Sequence, residues 1–171
     1  LDYSNDTGGT SNRGPLTNPM SYGGAQGNAN NGWAIAVDPY GGTKVDRITY
    51  ASDTTTAAPK GNLSASTRYQ ATTGSQSFGY SCGGNPQPGT TKVDRIDYAN
   101  DSSTASPKGN LLSNTTLAGS TSNLNYGWVG GNKSACGYTS ADPSNVPGTT
   151  VVQRIDFASD TSTTSTRGNL A

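Results

Sequence analysis

The stretch Val93–Asp101 reads Val-Asp-Arg-Ile-Asp-Tyr-Ala-Asn-Asp, and variants of it recur along the chain. The aromatic residue of the four copies is Tyr3, Tyr50, Tyr98 and Phe157, at spacings of 47, 48 and 59 residues. Each copy runs on to a basic-Gly-x-Leu close, at Arg13–Leu16, Lys60–Leu63, Lys108–Leu111 and Arg167–Leu170. A period in this range is typical of repeat architectures.

The composition favours short β-strands over helices or disorder. Hydrophobic residues make up 30% of the 171 residues, against roughly 45–50% on a similar count in globular domains. Charged residues make up only 13%, whereas disordered segments usually carry high net charge. Regularly spaced strands with polar turns fit both values, and no segment has a helical period.

Charge and residue usage also exclude some function classes. The net charge of zero gives no electrostatic footprint for nucleic acid or an anionic membrane surface. No apolar run approaches the roughly 18 residues needed to span a bilayer. The absence of histidine removes the commonest general base and a common metal ligand. Because the chain starts inside a repeat phrase and has no signal peptide, we expect a processed chain or a window on a longer one.

The phrase itself predicts a strand followed by a turn. With period two, Ile48 and Tyr50 face one way while Val45 and Arg47 face the other, so both faces of the strand are covered. The Asp that follows predicts a turn, because its side chain bonds nearby backbone.

Two further positions are fixed relative to the phrase aromatic. A Gly-aromatic pair follows thirty residues later, at Gly32-Trp33, Gly79-Tyr80 and Gly127-Trp128. A large residue lies nineteen residues after the aromatic, at Tyr22, Tyr69 and Leu117. We predict one strand around Tyr69 and another at Phe78–Cys82, with its counterpart at Tyr126–Val129.

The chain is therefore predicted to be all-β, with tandem repeats of about 48 residues and four short strands in each. The units are 1–47, 48–95 and 96–154, followed by a partial unit, 155–171.

Four strands per unit, a double Gly at a strand end (Gly83-Gly84) and a strand ending in an aromatic before an Asp turn together resemble the kelch repeat of β-propellers. The first unit departs from this pattern, with Ala36-Val37 in place of the Gly pair. Kelch-like repeats in virion and tail-fibre proteins of aquatic tailed bacteriophages are similar to the sequence of this repeat. The similarity lies in the motif Val-Asp-Arg-Ile-Asp-Tyr-Ala-Asn-Asp, followed by Ser-Pro-Lys-Gly-Asn-Leu. That resemblance implies a structural or surface-binding role and brings no catalytic residues.

The two ends of the chain carry the same part of the repeat, so one chain supplies three full units and a surplus partial unit. Propellers typically need four or more blades, and three arrangements resolve the mismatch. The chain is part of a longer array, or copies associate by strand exchange into rings or filaments, or the units stack as an open β-solenoid.

The acidic residues recur with the repeat, which favours structural roles over a catalytic pair or a Ca²⁺ site. They are the strand residues Asp46, Asp94, Asp97 and Asp156 and the turn residues Asp6, Asp53, Asp101 and Asp160. Neither catalytic residues nor a cofactor are predicted, with Ca²⁺ as the alternative.

The recurring basic and aromatic residues are also expected to be structural. Arg47, Arg95 and Arg154 are expected to pack between units and bond a neighbouring turn, with recognition of anionic sugars as the alternative. Trp33, Tyr80 and Trp128 are expected in the core, with a carbohydrate-stacking platform as the alternative.

What does not repeat is the better binding candidate, since loops on a rigid scaffold carry function. The candidate loop is 132–147, with Asn132, Lys133, Tyr138 and Asp142 as its binding residues; the stretch 28–32 is a second candidate. Cys82 and Cys136 either pair in an oxidising compartment or are small buried residues. Sequons for glycosylation stand at Asn5, Asn62, Asn100, Asn114 and Asn132.

Together these features predict a non-enzymatic structural module of a phage tail fibre or another extracellular appendage, located on a virion or outside the cell. A carbohydrate-binding adhesin and a subunit of an extracellular, glycosylated filament are the alternatives. Expected partners are other copies, further repeats or cell-surface polysaccharide, with no nucleic acid and no membrane insertion.

Overall fold

A computed structural model describes residues 11–85, 89–132 and 149–170. These residues form three four-stranded antiparallel sheets, in which strands that are consecutive in the chain lie side by side. The prediction of an all-β chain is confirmed, and each of the three sheets has four strands.

The first sheet is formed by β1 (Gly24–Gly27), β2 (Asn31–Ile35), β3 (Val45–Thr49) and β4 (Ala58–Pro59). The second is formed by β5 (Ala71–Gly74), β6 (Phe78–Cys82), β7 (Val93–Asp97) and β8 (Ser106–Pro107). The third is formed by β9 (Gly119–Ser122), β10 (Tyr126–Asn132), β11 (Thr149–Asp156) and β12 (Ser165–Asn169).

Each of the three repeat phrases within the described residues spans the end of a strand and the turn that follows it. Its first residues end the third strand, and its aromatic opens a short 3-10 turn, at Tyr50–Ser52, Tyr98–Asn100 and Phe157–Ser159. The Asp97 and Asp156 carboxylates accept the backbone N–H two residues on, at 3.0 Å each, and so close these turns.

The strand predicted around Tyr69 begins later, at Ala71, because Tyr69 itself is left-handed with φ 58°. Tyr22 and Leu117, at the equivalent positions, have φ 61° and 55°. The amide of Tyr69 donates to the carbonyl of Tyr22, and the amide of Leu117 to that of Tyr69, both at 2.9 Å. These bonds form a line of backbone contacts that runs from sheet to sheet.

The first strands of the three sheets lie against one another, and they are built from small polar residues. Thr72 donates to the carbonyl of Ala25 at 3.0 Å, while Gln26 and Ser120 donate to the carbonyl of Thr72 at 2.7 and 2.6 Å. A Cβ on Gly24 would lie 2.3 Å from the Thr72 methyl group. The abundance of Gly, Ser and Thr therefore reflects strands that approach closely and bond through side chains.

The apolar core lies between the sheets in two equivalent clusters. Between the first and second sheets lie Trp33, Ile35, Ala36, Val45, Leu63, Ile96 and Ala105. Between the second and third lie Ala71, Tyr80, Cys82, Val93, Leu111, Val129 and Ile155. The Leu of each of the two internal basic-Gly-x-Leu closes thus fills the gap between two sheets, since Leu63 and Leu111 are each only 2% exposed.

Candidate functional site

A turn aspartate of one sheet is held by three side chains of the sheet before it. The carboxylate of Asp101 accepts the indole N–H of Trp33 at 2.9 Å and pairs with Arg47 and Lys60, each at 3.1 Å. Trp33 and Arg47 lie opposite each other on β2 and β3, which aims both at the next sheet. We call this arrangement an aspartate clamp.

The second junction repeats the clamp with a different aromatic residue. Asp160 accepts the hydroxyl of Tyr80 at 2.9 Å and pairs with Arg95 at 2.8 Å and Lys108 at 3.6 Å. The Asp101 and Asp160 side chains are 6% and 7% exposed, so their charges are compensated almost entirely by the preceding sheet. Burial, followed by the charge and hydrogen bond of Asp160, raises the pKa of Tyr80.

Aromatic stacking accompanies each clamp. The rings of Trp33 and Tyr98 are nearly parallel, with centroids 3.8 Å apart, and those of Tyr80 and Phe157 are 4.9 Å apart. Gly79 is required beneath Tyr98, because a Cβ there would lie 2.7 Å from the Tyr98 hydroxyl oxygen. The Gly-aromatic pair therefore places its aromatic toward the next sheet while leaving room for the phrase aromatic of its own sheet.

The strand carboxylates hold backbone segments. Asp46 accepts the amide and hydroxyl of Thr17 at 2.7 and 2.8 Å, and Asp94 accepts those of Ser64 at 3.0 and 2.8 Å. Gln153 takes the same role for the amide of Leu112, at 2.6 Å. These side chains fix the segment that follows each Leu close, and within the described residues no group of three or more Asp, Glu, Cys or His side chains is arranged to hold a metal ion.

A surface groove of about 500 Å³ collects exposed aromatic residues at one end of the sheets. It is lined by Ser21, Tyr22, Pro39, Tyr40, Arg68, Tyr69 and Asn85. Tyr40 is 80% exposed and Tyr22 is 53% exposed, and the Tyr22 and Tyr69 rings lie 4.5 Å apart. The guanidinium of Arg68 lies 5.5 Å from the centre of the Tyr69 ring, within the range of a cation–π contact.

One wall of the groove carries a buried polar atom that lacks a partner. Asn85 is 6% exposed, and its side-chain oxygen makes no hydrogen bond in the described part of the chain. A buried oxygen of this kind is costly unless a donor reaches it. Exposed rings beside a cation form a surface on which the apolar face of a polyhydroxylated molecule can stack.

Sequence reasoning identified Tyr22 and Tyr69 only as a repeated position and missed the groove. Tyr40 and Asn85 do not recur in the other units, and their approach to Tyr22 and Tyr69 depends on how two sheets stack. The sequence did offer one indication of the groove. Tyr40 is an aromatic residue without a counterpart in the other units, and it lies in the unit that also carries the repeated position Tyr22.

The described aromatic and basic residues singled out from the sequence lie either between two sheets or on the outer face of an end sheet. Trp33 and Tyr80 are 1% and 0% exposed, so neither offers a stacking surface. Trp128 and Arg154 lie on the outer face of the third sheet. Tyr3, Asp6 and the loop residues Lys133, Cys136, Tyr138 and Asp142 are outside the described residues, as is the side chain of Asn132.

Cys82 is fully buried, and burial together with the charge of Asp94 raises the pKa of its thiol to about 12. Among the sequons, Asn62, Asn100 and Asn114 lie on the surface, and Asn5 is outside the described residues. No helix within the described ranges is long and apolar enough to cross a membrane.

Comparison of the sequence with protein-family models gives no match, and comparison with curated proteins gives none either.

Proposed function

We propose that the chain is a non-enzymatic structural repeat module of an extracellular appendage, such as a phage tail fibre, built from kelch-like β-propeller blades. The observation that carries the proposal is the aspartate clamp, formed at both junctions by an aromatic, an Arg and a Lys around a buried Asp. The recurring charged residues are used to join one sheet to the next, as a scaffold requires.

The sheet arrangement supports the blade interpretation. Each sheet is a meander of four adjacent strands, as in a propeller blade. The first strands of the sheets contact one another in chain order, β1 against β5 and β5 against β9. The fourth strands are therefore the outermost, which is the radial order expected of blades around a shared centre.

Immunogold labelling tests this location. Antibodies raised against the chain are expected to decorate virions or cell-surface appendages of the source organism. Labelling confined to the cytoplasm of intact cells would contradict the proposal, and so would hydrolysis of bacterial polysaccharides by the purified chain.

A second candidate function, binding of cell-surface polysaccharide, is favoured by the tyrosine groove. The exposed rings of Tyr22 and Tyr40 match the apolar face of a sugar, and Arg68 suits an anionic one. In a glycan array, Tyr40→Ala is expected to remove binding, whereas Leu124→Ala, an exposed residue that does not line the groove, leaves it intact. Equal binding by both variants would exclude the groove as the site.

A further inference from the structure

The outer face of the third sheet carries a clamp without an aspartate. Trp128 and Arg154 lie opposite each other on β10 and β11, as Trp33 lies opposite Arg47 and Tyr80 opposite Arg95. Trp128 is only half-buried, and Arg154 makes no ion pair with any described residue. The guanidinium of Arg154 lies 4.1 Å from the Tyr126 ring centre, as Arg95 lies 4.3 Å from that of Phe78, so it is already positioned.

The apolar residues of the same face are also uncovered. Leu170 is 50% exposed, although its counterparts Leu63 and Leu111 are each 2% exposed. Val152 is half-buried, whereas the equivalent Val45 is 1% exposed. These differences have one cause within the described part of the chain, since each internal position is covered by a following sheet and no described residue covers the outer face in the same way.

The opposite end of the molecule presents the complementary groups. Tyr50 is 49% exposed, while its counterpart Tyr98 stacks on Trp33. The side chain of Asp53 is 35% exposed, and among the described residues it pairs with Arg13 alone, at 3.3 Å, where Asp101 has two such pairs. The first sheet thus offers an aromatic and an incompletely paired carboxylate in the arrangement that the internal clamps use.

We propose that a second copy of this chain docks head to tail, with its Tyr50–Asp53 turn on Trp128 and Arg154 of the first. The indole N–H of Trp128 and the guanidinium of Arg154 donate to the Asp53 carboxylate, and the Trp128 ring stacks on Tyr50. The inference goes beyond the proposed function and does not depend on it, because it stands on two internal junctions whose geometry is known.

Docking requires one segment to replace another. The amides of Gly14, Gly61 and Gly109 donate to the carbonyls of Asp53, Asp101 and Asp160, at 2.6 to 2.7 Å, so residues 13–16 occupy the position that 167–170 of the neighbour would take. Both segments have the basic-Gly-x-Leu form, so the exchange preserves the contacts. Because the contact joins unlike faces, it builds rings or open filaments.

Sedimentation velocity of two complementary variants tests the proposal. Asp53→Ala removes the acceptor carboxylate and Arg154→Glu removes the clamp cation, and the two new side chains cannot form an ion pair with each other. The wild-type chain is expected to form species larger than a dimer as concentration rises, each variant alone is expected to stay monomeric, and an equimolar mixture is expected to stop at a dimer. High salt should slow the association, since salt screens the attraction between the charged faces while they are still separate and exposed.

Controls separate docking from folding and from general charge effects. Thermal melting should show that both variants fold, and Leu170→Asp serves as a second clamp-face variant if Arg154→Glu does not. Arg68→Glu, a charge change in the tyrosine groove, should associate like the wild type. A wild-type chain that stays monomeric, a clamp-face variant that associates normally or a mixture that stays monomeric would overturn the proposal.

Discussion

At the scale of single residues, equivalent positions in the three sheets act as internal controls. Tyr98 and Phe157 occupy the same place, and each stacks on the aromatic of the preceding sheet. The hydroxyl oxygen of Tyr98 is buried and has no hydrogen-bond partner among the described residues, and Phe157 shows that the position does not need the hydroxyl. Tyr80, in contrast, uses its hydroxyl to bond Asp160.

Two Tyr→Phe variants are therefore expected to have different effects on the free energy of unfolding. Tyr98→Phe should leave the free energy of unfolding unchanged or raise it by about 1 kcal/mol, because a buried unpaired hydroxyl is removed. Tyr80→Phe should lower it by about 1.5–3 kcal/mol, since a hydrogen bond to a charged group is lost. Urea denaturation measures both, and equal losses would show that the Tyr98 hydroxyl is bonded.

A backbone position supplies a second residue-scale prediction. Ala36 has φ 64°, where its counterparts Gly83 and Gly131 have φ 69° and 71°. A left-handed conformation costs a residue with a Cβ roughly 1–2 kcal/mol. Ala36→Gly should therefore be more stable than the control Ala34→Gly by about 1–2 kcal/mol, because Ala34 has ordinary strand geometry. Similar thermal midpoints for the two variants would argue against strain at Ala36.

At the scale of elements, the clamp is the unit that joins sheets, and its value is measured by removing the aspartate. Asp101→Ala leaves Arg47 and Lys60 without their buried partner and should cost about 3–5 kcal/mol. Asp53→Ala is the matched control, since this carboxylate is 35% exposed and Arg13 is its one ion-pair partner in the described part of the chain; its loss should be under about 1 kcal/mol. Comparable losses would mean that the two aspartates have similar surroundings.

The sequence allowed the strands, the turns and a role for Arg47 and Arg95 between units to be predicted, but not which residues meet between the sheets. The period-two pattern of Val45–Ile48 and the Gly-aromatic pairs mark strands because local chemistry decides them. Asp101 was assigned to a turn, which is correct, yet its carboxylate reaches Trp33, and no local pattern specifies a partner 68 residues away. The groove around Tyr40 was missed for the same reason.

At the scale of the whole molecule, buried ionisable groups predict how stability depends on pH. Burial raises the pKa of Cys82 from 9.0 to about 12 and also raises the pKa of Tyr98 above its ordinary value of 10.0. Above about pH 9 the unfolded chain loses these protons while the folded chain retains them, so stability is complete at lower pH and falls as pH rises.

Urea midpoints from about pH 8 to about pH 11 should therefore decrease, and the decrease should be smaller for Tyr98→Phe, which lacks one of the groups. A flat profile, or a profile unaffected by this substitution, would show that these groups titrate in the folded chain as they do in the unfolded one.

The central claim, that buried aspartate clamps join consecutive sheets and leave the last clamp empty, can be tested through the two tryptophans of the chain. The measurement is NMR hydrogen exchange of their indole N–H protons, in the Arg154→Glu variant so that association is absent. We expect slow exchange for Trp33, which is 1% exposed and bonded to Asp101, and fast exchange for Trp128. Asp101→Ala in the same background should speed the exchange of Trp33 alone. Equally fast exchange of both indoles, or no response of Trp33 to the loss of Asp101, would contradict the clamp.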